Sequence, residues 1–160
     1  MAIKNAFVTN LLGLQDLKIL VVDNHIDSCD LIELLLALYG VKVKKAFSAK
    51  QALEIFGRWQ PNILITEIAL PDIDGFALVQ QARAIALERE KVLLVIAVTA
   101  YINDNIRQLA LSTGFDYWFT KPLNLDNFVA GLAYCADYKF SSAMTQTFLS
   151  SFENHSYVSF

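Results

Sequence analysis

Residues 63–75, ILITEIALPDIDG, constrain this chain more than any other stretch. They begin with an apolar run, Ile63, Leu64 and Ile65, that ends at a lone carboxylate, Glu67. Pro71, Asp72, Asp74 and Gly75 then mark a turn. A short apolar run bounded by turn residues is the pattern of a strand buried on both faces. Such strands belong to parallel sheets covered by helices, and the carboxyl ends of those strands open onto the binding crevice. The pattern therefore places Glu67 at the mouth of a site.

The same grammar repeats along the chain. Residues 19–22 are an apolar run that stops at Asp23. Leu31, Leu34, Leu35 and Leu38 recur at helical spacing over about residues 27–39, and Gly40 suits the position just past a helix end. Residues 41–47 form a second strand. Ser48 with Gln51 gives a capping-box signature for a helix to about Trp59, with Ala52, Leu53 and Phe56 facing inward. After Gly75, a helix carries Phe76, Val79, Ala82 and Ile85 on one face. Residues 92–98 are a buried strand ending at Thr99, and residues 102–112 a helix closed by Gly114. Residues 117–120 are a short strand running into Lys121-Pro122, and Asn124 caps a last helix through about Tyr138. Five βα units with right-handed crossovers give a doubly wound, five-stranded parallel sheet with helices on both faces. The flavodoxin-like strand order 2-1-3-4-5 is the expected one.

At 160 residues, 55% hydrophobic and only 18% charged, the chain is expected to form one compact domain with a full core. Residues 17–139 hold that domain. Residues 1–16 are a leader, with a short apolar arm over residues 6–14, and residues 140–160 are a Ser/Thr-rich tail given no structure. A mean hydropathy of +0.40 is high for a soluble domain and points to apolar surface kept for a partner. The net charge of −3 offers no general attraction to nucleic acid, and Lys42, Lys44 and Lys45 are a solvated strand face. Cys29 and Cys135 lack metal-ligand spacing and are expected as reduced thiols. With no run of membrane-spanning length and no signal-peptide pattern, the expected location is cytoplasmic, with no membrane association.

The strand ends bring together Asp23 and Asn24, Glu67, Thr99 and Lys121. Two carboxylates, a hydroxyl and a lysine make a compact anion or phosphoryl site. The motifs that carry these residues are VVDNH at 21–25, ITEIALPDIDG at 65–75, VTA at 98–100 and KP at 121–122. With them, residues 17–138 resemble the receiver domain of two-component response regulators, in an atypical or pseudo-receiver form. In that family an acidic pair at the first strand holds a divalent metal, and an aspartate at the third strand end accepts a phosphoryl group. A Thr or Ser and a Lys bind that group, and an aromatic near the fifth strand changes rotamer. The resemblance makes Asp23 the first acid, the Ala69 carbonyl a metal ligand, Thr99 the switch hydroxyl and Trp118 the switch aromatic. It makes Lys121 the family lysine and Pro122 the residue after a cis peptide bond.

Two positions depart from the pattern. Glu67 stands where the phospho-accepting Asp is expected, and Asn24 where the second acid is expected. Glu carries its carboxylate about 1.5 Å further out, and a misplacement of about 1 Å costs ~100-fold in phosphoryl transfer. Asn24 removes one negative charge, so magnesium, with Asp23, Glu67 and Ala69 as the candidate ligands, is expected to bind weakly. No other cofactor is expected, because DNHIDS after the first strand has no glycine with which to cradle a nucleotide or flavin.

The expected protein is therefore a non-enzymatic, phosphorylation-independent interaction module in two-component signal transduction. The longer Glu67 carboxylate would reach Lys121 and Thr99 and stand where phosphoryl oxygens lie. Partners are a sensor kinase or a downstream effector, with no direct nucleic-acid contact. A homodimer would use the face of the fourth helix, fifth strand and fifth helix, including Ile106, Leu109, Tyr117 and Tyr134. The alternatives are a phosphorelay receiver that tolerates a degenerate acidic pocket, a structural scaffold subunit, or a small-ligand enzyme of flavodoxin-like class.

Overall fold

The computed structural model describes residues 13–155, with side chains through residue 142. Strands β1 (Lys18–Val22), β2 (Lys42–Ala46), β3 (Ile63–Thr66), β4 (Leu94–Thr99) and β5 (Tyr117–Thr120) alternate with five helices. These are α1 (Ile26–Ala37), α2 (Ala49–Trp59), α3 (Gly75–Glu88), α4 (Asp104–Thr113) and α5 (Leu125–His155). The sheet is parallel in the order β2-β1-β3-β4-β5, the doubly wound order read from the sequence.

The three central strands are buried nearly throughout because each face is covered. On one side Ile19, Val21, Ile63, Ile65 and Ile96 pack with α1 and α5, chiefly through Ile32, Leu36, Phe128 and Leu132. On the other, Leu20, Leu64 and Val95 pack with Phe56 of α2, Leu78 and Val79 of α3 and Ala110 of α4. The edge strand β2 instead exposes Lys42 and Lys44, and charged edges resist pairing with another chain.

Most helix ends follow their sequence signals. Ser48 accepts from the Gln51 N–H at 3.1 Å, and the Gln51 side chain accepts from the Phe47 N–H at 2.9 Å. Asn124 accepts from the Asn127 N–H at 3.0 Å. Gly40 (φ 73°) and Gly114 (φ 115°) take the left-handed backbone that stops α1 and α4.

Three expectations change. The leucine spacing in α1 does not mark its core face: Cys29, Ile32 and Leu36 are buried, while Leu31, Leu34 and Leu38 are 44%, 71% and 77% exposed. Helix α1 is apolar on nearly every side, so periodicity alone cannot choose a face. Helix α5 does not stop near Tyr138 but runs to His155, through a stretch from 132 to 155 that has neither Gly nor Pro. The end of the leader is anchored, since Leu14 is fully buried and the Asp16 N–H donates to the Gly40 carbonyl at 3.0 Å. The rest of the apolar arm, residues 6–12, and the last five tail residues lie outside the described residues.

At the amino ends of the strands, Arg83 of α3 donates to the carbonyls of Gly114 and Leu93 and pairs with Asp116 at 2.7 Å. Asp116 also accepts from the Val95 N–H at 2.8 Å and pairs with Lys139 of α5 at 2.9 Å. One arginine and one aspartate thus tie α3, β4, the α4 end and α5 together. Among the described residues no helix is long and apolar enough to cross a membrane.

Candidate functional site at the carboxyl ends of the strands

Parallel registry sets the site. Val22 lies beside Thr66 and Thr99 beside Thr120, so the residues just past these strands converge. The Glu67 N–H continues the ladder to the Val22 carbonyl at 2.9 Å, and the Lys121 N–H does the same to Thr99 at 2.9 Å.

The loop after β3 is held on three sides. The Gly75 N–H donates to the Ile68 carbonyl at 2.7 Å. Only glycine fits there, because a Cβ on Gly75 would sit 2.6 Å from the Glu67 carbonyl oxygen. Asp74 caps α3 through the Ala77 N–H at 2.8 Å. Asp72 reaches across to α2, its two oxygens accepting from the Lys50 and Ala49 N–H groups at 2.9 Å each. Those N–H groups, Lys50 first, hold the Asp72 carboxyl at about 2. The turn chemistry of Asp72 and Asp74 was legible in the sequence, but the tie to α2 was not.

Glu67 and Asp23 are 6% and 4% exposed. Lys121 enters between them, its Nζ 2.6 Å from Asp23 Oδ2 and 3.0 Å from Glu67 Oε2. Glu67 Oε1 turns back to accept from the Ile68 N–H at 2.7 Å and the Ala69 N–H at 3.3 Å. Asp23 Oδ1 accepts from the His25 N–H at 2.9 Å and lies 3.1 Å from His25 Nδ1. All four carboxylate oxygens therefore have partners, as buried charge requires.

Burial opposes the charge on Asp23, yet the Lys121 hydrogen bond and the His25 N–H outweigh it and hold the carboxyl below its ordinary range. Burial likewise opposes the Lys121 charge, and the hydrogen bonds it donates to Asp23 and Glu67 overcome that, so the ammonium titrates above its usual value. Beneath the site, burial and then the Asp23 charge push the Cys29 thiol up to about 11, which keeps it protonated and inert.

The sequence-derived residues do not all meet. Thr99 is buried but turns its hydroxyl to the Tyr101 backbone at 3.4–3.5 Å, and among the described residues no hydrogen bond joins it to Glu67. The expected reach of Glu67 is thus realised toward Lys121 and not toward Thr99. Asn24 and Ala69 are exposed at the rim. Trp118 is half-buried on the opposite side of β5, against the second core, with Arg107 of α4 5.9 Å from its ring and Tyr117 stacked at 6.2 Å. The Lys121-Pro122 peptide is cis, as the family pattern implies. An open cleft of about 400 Å³ lies over the cluster, lined by His25, Ser28, Glu67, Ala69, Thr99, Ala100, Tyr101 and Lys121.

Lys121, His25 and backbone N–H groups already engage the oxygens of both acids, and Asn24 brings no charge, so the donor set for magnesium is weak. Among the described residues no group of three His, Cys, Asp or Glu side chains can hold a metal ion.

A five-stranded parallel sheet of this order, with an acid–lysine cluster at its carboxyl ends, defines a receiver-type signalling module. The model of the response regulator receiver domain matches residues 19–133, and the chain belongs to that family. It is 39% identical over 111 residues to an uncharacterized 14.6 kDa protein in the sodA1 3′ region of Leptolyngbya boryana, covering 69% of this chain and 83% of that one. It is 30% identical to the probable transcriptional regulator ycf27 of Porphyridium aerugineum, covering 69% of this chain and only 44% of the regulator. The two-component response regulator from Clostridium difficile superposes with a TM-score of 0.70 at 25% identity, over 75% of this chain and 95% of that one. The CheY-like receiver domain protein from Methanospirillum hungatei JF-1 superposes with a TM-score of 0.72 at 24% identity, over 80% and 99%.

Proposed function

We propose that this receiver signals without accepting a phosphoryl group, with Glu67 standing in for the modified acceptor. What supports this reading is the 3.0 Å contact between Glu67 Oε2 and Lys121 Nζ, together with the backbone N–H groups on Oε1. The carboxylate holds the lysine that would otherwise bind an incoming phosphoryl group. The donor set around Asp23 and Asn24 leaves little with which to bind magnesium. On this reading the output is a protein contact, made through the face of α4, β5 and α5, where Leu109, Tyr117 and Tyr134 are 49%, 46% and 67% exposed. Trp118 connects the site strand to that face through Arg107. The module works in the cytoplasm, and a sensor kinase or a downstream effector is its partner.

The test is tryptophan fluorescence in a Trp59→Phe background, so that Trp118 alone reports, during titration with magnesium and then beryllofluoride. The expected result is no response from the otherwise native chain and a saturable response once Glu67→Asp and Asn24→Asp are added together. A response of equal size in the native chain would instead establish a working receiver with an unusual acceptor pocket.

A further inference from the structure

We propose that the open edge of the sheet at β2 takes up an extended acidic segment of a partner protein as an added strand, with alternate Asp or Glu side chains of that segment set against Lys42 and Lys44.

Strand β2 pairs only with β1. The Lys42 N–H donates to the Leu17 carbonyl at 2.9 Å, and the Ala46 carbonyl accepts from the Asp23 N–H at 3.1 Å, so the even-numbered residues bond inward. The N–H and C=O groups of Val43 and Lys45 therefore point away from the sheet. Among the described residues none of them has a backbone partner. An edge of this kind is a template for strand addition by an extended peptide.

The side chains select the sign of that peptide. Leu20, Val22 and Ala46 pack in the core beneath α2 and α3, so alternation puts Lys18, Lys42 and Lys44 on that same side. Lys18 and Lys42 lie directly opposite each other in the register, and like charges so placed repel. Lys18 donates to the Trp59 carbonyl at 3.3 Å, and the Trp59 ring lies 5.9 Å from Lys18 Nζ and 5.0 Å from Lys44 Nζ. The indole gathers two ammonium groups without neutralising either. Among the described residues none of these three lysines has an acidic partner, whereas Lys45, on the other side of the strand, is held by Asp30 and Glu33 at 2.7 and 2.9 Å. A chain of net charge −3 thus keeps three uncompensated lysines together at an open edge. They repel a second copy of β2 and attract a strand of opposite sign.

Alternation also favours a strand over other anions. Asp30 and Glu33, 53% and 42% exposed, stand on the α1 side of β2. A nucleic acid or an anionic lipid surface laid along the edge would meet them as well as the lysines. A strand sends successive side chains to opposite faces. Its acids reach Lys42 and Lys44 while its neutral residues lie beside Val43 and the Asp30–Lys45–Glu33 group. The pattern recognised is acid, neutral, acid. Strand β2 is the edge of the sheet opposite β5, so the proposal stands independently of the reading of Glu67 and of the α4–β5–α5 face.

The test is binding of a fluorescein-labelled peptide of four Glu-Val repeats to the full chain, read by anisotropy, with amide hydrogen exchange followed at Val43 and Lys45. The expected result is saturable binding below about 1 mM, with slowed exchange at both amides. Lys42→Glu with Lys44→Glu should weaken binding about tenfold or more at an unchanged thermal melt, because both side chains are exposed. The same double variant should bind a peptide of Lys-Val repeats, which the native chain rejects. A Glu-Val peptide N-methylated at alternate residues cannot complete the ladder and should not bind. Absence of saturable binding overturns the proposal, and so does binding that survives the double variant. Equal binding of the N-methylated peptide would reduce the patch to a general attractor of anions and overturns strand addition. Tighter binding of single-stranded DNA or of phosphatidylserine vesicles than of the peptide would assign the lysines to a polyanion or a lipid surface instead.

Discussion

Two charged clusters stitch this fold, one at each end of the sheet, and they are built by opposite rules. At the amino ends, Arg83, Asp116 and Lys139 set two cations on one acid, and Arg83 also donates to backbone carbonyls. Asp116 and Arg83 keep about a quarter of their side chains in water, at 26% and 27%. At the carboxyl ends, Asp23, Glu67 and Lys121 set two acids on one cation, with the acids 5% and 7% exposed. The first cluster satisfies backbone groups and would serve any protein of this shape. The second confines excess negative charge at the floor of an open cleft and depends on one lysine to do so. The structural end is redundant, and the functional end is poised.

Removing Lys121 should therefore have the largest effect. Lys121→Met leaves Asp23 and Glu67 buried without their counter-charge and is expected to cost about 3–5 kcal/mol at neutral pH. Most of that loss should return as the pH falls through the carboxylate range and the acids take up protons. Urea unfolding at neutral and acid pH checks both halves. Arg83→Met should cost about 2–3 kcal/mol by orphaning the Gly114 and Leu93 carbonyls, with little dependence on pH, and equal pH dependence in the two variants would erase the contrast. Gly75→Ala should cost about 1–3 kcal/mol, because its Cβ collides with the Glu67 carbonyl. It should also alter Trp118 fluorescence if loop and β5 are coupled through Lys121.

The native chain sharpens the same comparison. The Asp23 carboxyl is lowered on folding, so its contribution is present above its unfolded value of about 3.9 and is lost as the pH falls through the folded value. Lys121 is raised, so its contribution is complete below about 10.4 and is lost as the pH rises through the folded value. Stability should thus fall on both limbs, and Lys121→Met should flatten the alkaline one. The smallest effect is expected from Asp72→Asn, a modest fall in Tm with loss of the shallow acid contribution that runs down to about 2.

The sheet order and the strand-end residues were legible because a doubly buried strand has to stop being apolar where it leaves the sheet. Asp23, Glu67, Thr99 and Lys121 are those stops. What the sequence does not carry is the choice among nearby hydrogen-bond partners. Thr99 had Glu67 and the Tyr101 backbone to choose between, and a rotamer decides that. Asp72 finds its N–H partners in α2, 22 and 23 residues away in sequence, where no local spacing rule applies. In α1, leucines on almost every side hid which face meets the sheet, and Cys29 rather than a leucine begins the buried stripe.

Helix α5 also has a mechanical meaning. Its 31 residues make a rod about 46 Å long at 1.5 Å per residue, and its stretch from Phe128 to Phe140 packs on the core. The rod begins four residues after Lys121, so its base is set by the same loop that closes the acid cluster. A tilt of about 5° at that base carries the far end some 4 Å sideways by simple trigonometry on that length. By that geometry alone, a small adjustment at the strand ends would be lengthened along the helix.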